Sequence, residues 1–219
     1  MTAAGDACSV GSLPRSPRTA RGAIVAVDAA SPLPRSVAFQ YNPDTVTRAL
    51  RPRGGAVEGG VGAGDAHRMS GAPVETITMK VEIDAADQLE RGEQAAGRNG
   101  IGDELAALEM LLYPSSFDVL VSAALSLVGT IEILPPESPL TVLVWGPSRT
   151  VPIRLESLSI VEDAFDPHLN PIRATVDLSA QVLTYSDLPI TDPGYALFLR
   201  HQLRKESLAD TVARRISVL

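Results

Sequence analysis

The sequence predicts an α+β fold that is mainly β: an antiparallel β-barrel or sandwich with one packed internal helix and a C-terminal helix. Three observations predict it. Residues 76–84 and 172–182 alternate apolar and polar side chains without interruption, the period of two that sends successive side chains to opposite faces of a sheet. The segments DELAALEMLLYP (103–114) and GYALFLRHQLRKESLADTVARRI (194–216) instead carry apolar residues at helical spacing. Short apolar runs elsewhere are punctuated by Pro and Gly turns, as in sheets of consecutive antiparallel strands.

Composition bounds what such a fold can do. A chain of 219 residues, 45% hydrophobic, buries roughly two-thirds to three-quarters of its unfolded surface and needs no staple to fold. Its single cysteine, Cys8, excludes an internal disulfide framework and a zinc ribbon, and fits a reducing compartment. Residues 1–22 contain no apolar run long enough for a secretory signal, so the protein is expected to be cytosolic when made. The uncharged run Val119–Ile131 has 13 residues, short of the roughly 20 that span a bilayer as a helix, and no membrane insertion is expected.

The net charge of −7 is unevenly spread. Residues 1–53 hold seven Arg against three Asp, a balance of +4, and residues 195–219 hold five basic against two acidic groups, +3. The middle, 54–194, has seven basic and 21 acidic residues, −14. With two lysines in the whole chain and no clustered aromatics to stack bases, no nucleic-acid partner is expected. Basic ends can instead dock on acidic faces of neighbouring subunits.

Taken in order, residues 1–21 lack periodicity and read as a flexible tail. GAIVAVD (22–28) is a short strand ending at the Pro-marked turn SPLPRS. Val37, Phe39 and Tyr41 alternate with polar or small neighbours up to Asn42-Pro43, and the extended TVTRALRPR (45–53) follows so closely that the two read as a hairpin. Residues 53–72 form a Gly-rich loop of a length that is mobile or functional in compact domains. It is no phosphate-binding loop, because Gly64 is followed by Asp65-Ala66-His67 where Lys-Ser/Thr is required. In VETITMKVEID (74–84), Ile77, Met79, Val81 and Ile83 share one face.

The helix at 103–113 begins with Asp103 and Glu104, where negative charge is favoured, sets Leu105, Leu108 and Leu112 on one stripe, and stops at Pro114. SFDVLVSAALSLV (116–128) reads as a further short helix leading into the extended TIEIL. LTVLVWG (140–146) is a strand covered on both sides. In VPIRLESLSIVED (151–163), Val151, Ile153 and Leu155 face inward before the phase slips to Leu158 and Ile160, the signature of a β-bulge. After the turn AFDPHLNP comes the longest alternation, Ile172 to Val182, about 40 Å at roughly 3.3 Å per residue. Such a strand suits a barrel or a sheet shared with neighbours. Residues 191–219 form a helical extension, and 22–190 the β domain.

No specific catalytic signature occurs: HExxH, GxSxG and CxxC are all absent. Asp163, Asp166 and His168 form the sole carboxylate–histidine cluster, read as turn chemistry ahead of a metal site. Glu104 and Glu109, five residues apart, do not share a helix face. No cofactor, metal or catalytic residue is expected.

The segment WGPSRTVPIRLESLSIVEDAFDPHLNPIRATVDLSAQVLTYSDLP (145–189), together with FQYNPDTVTRAL, ETITMKVEIDAAD and LEMLLYP, resembles the tube-type domain of the hub adaptor in contractile injection system baseplates, the phage-tail-like particles. The similarity spans about residues 22–205. It implies a tail-tube-like β-barrel acting as a non-enzymatic ring component, sixfold, between the inner tube and the trimeric VgrG-like spike hub, beside baseplate wedge and sheath-proximal components. It also implies assembly in the cytoplasm into a particle that cells can release. Many members carry a C-terminal LysM module; these 219 residues hold none, so LysM-mediated contacts are left out of the expectation. On this reading Arg173, Asp177 and Gln181, on the polar face of the long strand, face a lumen or a subunit junction. Arg48, Arg51, Arg53, Arg200 and Arg204 are the candidate basic contacts between subunits. The alternative is a soluble β-rich carbohydrate- or peptide-binding module, which needs an aromatic-lined cleft that four Phe, four Tyr and one Trp make hard to build. An enzyme would need His168 drawn to Asp163 or Asp166 in a pocket.

Overall fold

Alternation along the chain builds one seven-stranded antiparallel sheet in the order β2-β1-β5-β6-β7-β4-β3. The computed structural model describes residues 21–27, 35–39, 42–53, 70–86, 98–114, 116–127, 139–146 and 148–216. The strands are β1 (Ala23–Val27), β2 (Arg35–Ala38), β3 (Val46–Arg51), β4 (Val74–Asp84), β5 (Leu140–Val144), β6 (Thr150–Phe165) and β7 (Pro171–Val182). The helices are α1 (Gly102–Glu109), α2 (Ser116–Leu127) and α3 (Pro193–Ile216). The fold is thus α+β and mainly β. Residues 1–20 of the tail expected at 1–21, most of the Gly-rich loop and the TIEIL extension lie outside the described residues.

Strands β6, β7 and β4 carry the sheet. On β4, Ile77, Met79, Val81 and Ile83 are buried, and on β7 so are Ala174, Val176, Leu178, Ala180 and Val182. Each large aliphatic side chain so buried contributes roughly 1.5–3 kcal/mol. The phase slip in β6 is a bulge: Leu155 pairs with Ala180 and Ser157 with Ser179, leaving Glu156 unmatched. The extra residue lets Leu155, Leu158 and Ile160 all face the core, where they pack against its buried cluster.

The hairpin expected between residues 36–41 and 45–53 does not form. β2 pairs with β1, β3 pairs with β4, and the two stand at opposite edges of the sheet. The connection between them nevertheless remains short, and that forces curvature. The Gly22 N–H donates to Asn42 Oδ1 at 2.8 Å, so residue 42 still lies beside the start of β1. Val46 begins β3 four residues later, a reach of at most about 14 Å. Across a flat sheet, the five strand steps from β1 to β3 measure about 24 Å. The sheet therefore curls around its apolar face. Among the described residues, edges β2 and β3 are not hydrogen-bonded to each other, so the sheet is not closed into a barrel.

Helix α1 stands at that seam. Leu108 and Glu104 line the same small cavity as Val37 and Phe39 from the β2 side and Val81 and Ile83 from β4. Leu105 and Leu108 are buried, but Leu112 is 44% exposed, contrary to the expected stripe, because the helix ends at Glu109 and tighter turns carry Leu111 and Leu112 away from its axis. Gly100, with φ of +61°, seats α1 against β7: an added Cβ would lie 1.9 Å from the Pro171 carbonyl oxygen. That same oxygen accepts the Ile101 N–H at 2.8 Å.

Helix α3 packs on β6. Phe198 is buried and its ring meets Tyr185 edge-on at 5.8 Å between centroids. The approach to α3 is fixed by Asp187, which accepts from the Thr184 N–H at 2.9 Å, from its hydroxyl at 2.7 Å and from Arg53 Nη2.

Candidate assembly surfaces

The face of the sheet opposite the core is a polar ladder. Arg173, exposed on β7, donates from Nε to Asp84 Oδ2 at 2.8 Å, with Nη2 at 2.7 Å from the same oxygen. The Ala86 N–H bond, followed by Arg173, holds the Asp84 carboxyl below its ordinary range. Asp177, also exposed, stands directly across from Lys80 on β4 and Ser159 on β6. Gln181 Oε1 accepts from Arg154 Nη2 of β6 at 2.6 Å. All three thus lie on the polar face, each beside a residue of a neighbouring strand. Shallow depressions on this face are lined by Thr45, Thr47, Thr78, Ser157, Ser159 and their charged neighbours, with no aromatic ring in any of them.

The five candidate basic residues divide. Arg48 and Arg53 are engaged within the chain: Arg48 Nε lies 2.5 Å from Glu75 Oε1, and Arg53 donates to the Ala72 carbonyl at 3.0 Å as well as to Asp187. Their folding role follows from half-burial, which penalises an unpaired guanidinium. Arg51, Arg200 and Arg204 are exposed. Arg200 and Arg204 sit one turn apart on α3 and line a cavity with Ser148, Thr150, Leu197 and His201.

Glu75 is the buried ionisable centre that sequence reading passes over. It is 4% exposed and pairs with both Arg48 and Lys205, whose Nζ lies 3.2 Å from Oε2. Burial on its own raises a carboxyl pKa, but the Arg48 hydrogen bond and the charges of Lys205 and Arg48 outweigh it, so the net shift is downward. The signal was present: the period that turns Ile77 inward turns Glu75 inward too. Beside this cluster, His201 is pushed down to about 4, first by burial and then by the charge of Lys205.

Around the Asp-Pro turn, Asp166 accepts from the His168 N–H at 2.7 Å, the Asn170 N–H at 2.8 Å and the Asn170 side chain at 2.8 Å. The Asn170 bonds, side chain first, lower its pKa. His168 Nδ1 is 3.9 Å from Asp166, and its side chain is 85% exposed. The arrangement is turn chemistry, with Leu169 at φ +67° closing it. Among the described residues, no group of three or more His, Cys, Asp or Glu is placed to hold a metal ion, and no helix is long and apolar enough to cross a membrane.

Apolar surface is left uncovered on the helices. On α2, Val119, Leu120, Val121, Leu125 and Leu127 are 52, 69, 38, 36 and 90% exposed. On α3, Leu208 and Val212, at helical spacing from His201 and Lys205, are more than half exposed. Neither protein-family models nor curated proteins give a match to this chain.

Proposed function

We propose that the chain is a structural ring subunit of a contractile injection system baseplate, joining the inner tube to the trimeric spike hub. In this reading six copies assemble, the curled sheet completes a tail-tube-type barrel, and the polar ladder of Arg173, Asp177 and Gln181 faces the lumen or a junction between copies. The observation that carries it is the uncovered apolar surface of α2. Large exposed apolar patches on a water-soluble domain mark places of association, and a closed ring of identical copies is the economical way to cover them. The curled sheet with a polar outer ladder and the resemblance over residues 22–205 support the same assignment. The wedge and sheath-proximal components are its further neighbours, and the assembled particle leaves the cytoplasm on release. A carbohydrate- or peptide-binding module draws no support from the polar-face depressions, which lack aromatic platforms.

Electron microscopy of phage-tail-like particles isolated from the source tests the proposal. The expected result is a ring at the tube–spike junction whose density fits this chain. Particles that lack the chain overturn it.

A further inference from the structure

We infer that the cavity between α3 and the β5–β6 turn is a binding site for a single oxyanion group, a phosphate or a carboxylate, held by Arg200 and Arg204 with Ser148 and Thr150. The inference stands apart from the ring assignment. Two guanidinium groups one helical turn apart offer planar forks of N–H donors matched to a two-oxygen or larger anion, and two hydroxyls from the opposite wall supply donors that can rotate to fit. All four side chains and His201 line the same cavity of about 170 Å³. That volume is below the roughly 300–1,000 Å³ of sites for drug-sized ligands, so it fits one phosphoryl or carboxylate group rather than a nucleotide or an oligosaccharide.

Two further observations point to an anion. Arg200 and Arg204 are the charged residues lining the cavity, whose wall includes no carboxylate, and they pair with no carboxylate among the described residues. The walls are therefore positive and short of acceptors. In addition, His201 Nδ1 is a buried polar atom without a hydrogen-bond partner, at a place where most buried polar groups are satisfied. The anion has two sources of one chemistry: free phosphate, or an acidic side chain of a second copy, whose middle segment carries the −14 balance.

The test is calorimetric titration of the full chain with inorganic phosphate, with chloride exchanged to hold ionic strength constant. Saturable binding of one phosphate per chain is expected. Arg200→Gln with Arg204→Gln should weaken it at least tenfold, and Ser148→Ala, which removes a hydroxyl but no charge, about threefold, one hydrogen bond's worth. Arg98→Gln, beside the Asn170 turn at the other end of β6, should leave it unchanged. Sedimentation velocity with and without phosphate identifies the source: phosphate that dissociates self-associated protein assigns the site to a neighbour's carboxylate, and an unchanged sedimentation coefficient assigns it to free phosphate. Absence of saturable binding, or equal binding by the double variant and by Ser148→Ala, overturns the inference. Both variants alter exposed or part-exposed side chains, and circular dichroism confirms that each remains folded.

Discussion

Lys205 Nζ, on the C-terminal helix, lies 3.2 Å from Glu75 Oε2, on the core face of β4, across 130 residues of chain. With Arg48 on the other oxygen, the carboxylate ties β3, β4 and α3 together at one end of the apolar interior. Isolated in that position, the charge would be costly; paired twice, it fixes where α3 lands.

Replacing Glu75 by Gln keeps the shape and removes the charge, leaving Arg48 half-buried and uncompensated. A loss of about 2 kcal/mol in urea unfolding is expected, at the lower side of what broken buried pairs cost because Arg48 and Lys205 are part-exposed. Arg48→Leu combined with Glu75→Leu should recover part of that loss, since an apolar pair needs no partner.

His201 gives the acid limb of stability. Its folded pKa of about 4 is below the unfolded value of 6.5, so between those values the unfolded chain binds the extra proton. Stability then falls as pH drops from about 6.5 to about 4 and levels off below, by at most about 3 kcal/mol before solvent screening reduces it. Glu75 adds a second loss lower down: its folded pKa is depressed, so its contribution is present above the unfolded value of 4.5 and disappears as pH falls through the folded one. His201→Gln should flatten the upper limb while leaving the lower one, as measured by unfolding midpoints at stepped pH.

Gly100→Ala sets a Cβ against the Pro171 carbonyl at a positive φ. It should cost about 2 kcal/mol, or about 4–8 °C in Tm for a chain of this size. The same substitution at Gly146, also at positive φ but with open space around its Cβ position, should cost less.

The bulge makes a deletion prediction. Removing Glu156 restores regular alternation through Leu155, Leu158 and Ile160, so both halves of β6 keep their core face. Removing Ser159 instead turns every residue beyond it to the wrong side. The first variant should remain folded by circular dichroism, and the second should unfold or aggregate.

Leu120→Glu with Leu127→Glu places charge on the uncovered face of α2. If that face joins copies, analytical ultracentrifugation should show the variant at a lower association state than the parent, with unchanged thermal unfolding of the monomer.

Much of the fold was legible because it rests on local rules. Regular alternation gave β4 and β7 within one residue of their ends, and the slip between Leu155 and Leu158 gave the bulge. The pairing of β2 and β3 was not legible. Asn42-Pro43 between two extended runs satisfies the local requirement for a hairpin, and only the curl of five intervening strand steps turns that connection into a bridge between opposite edges. Of the site, the polar positions Arg173, Asp177 and Gln181 follow directly from the period of two. Glu75 and His201 escape because their meaning depends on Arg48 and Lys205 arriving from 27 and 130 residues away, which no pattern within one segment encodes.

The docking of α3 also sets an order of events during synthesis. Residues 193–216 are made after every strand they touch, so at roughly 5–20 residues per second the completed β7 waits about 2–7 s for its cover. Through that interval Glu75 keeps its water and the Phe198 seat stands open, leaving the nascent sheet sealed at the α1 end alone. Closure at the other end depends on contacts of long sequence separation, the slow kind, and this is the moment at which a chaperone or a sister copy has its best access to the apolar interior.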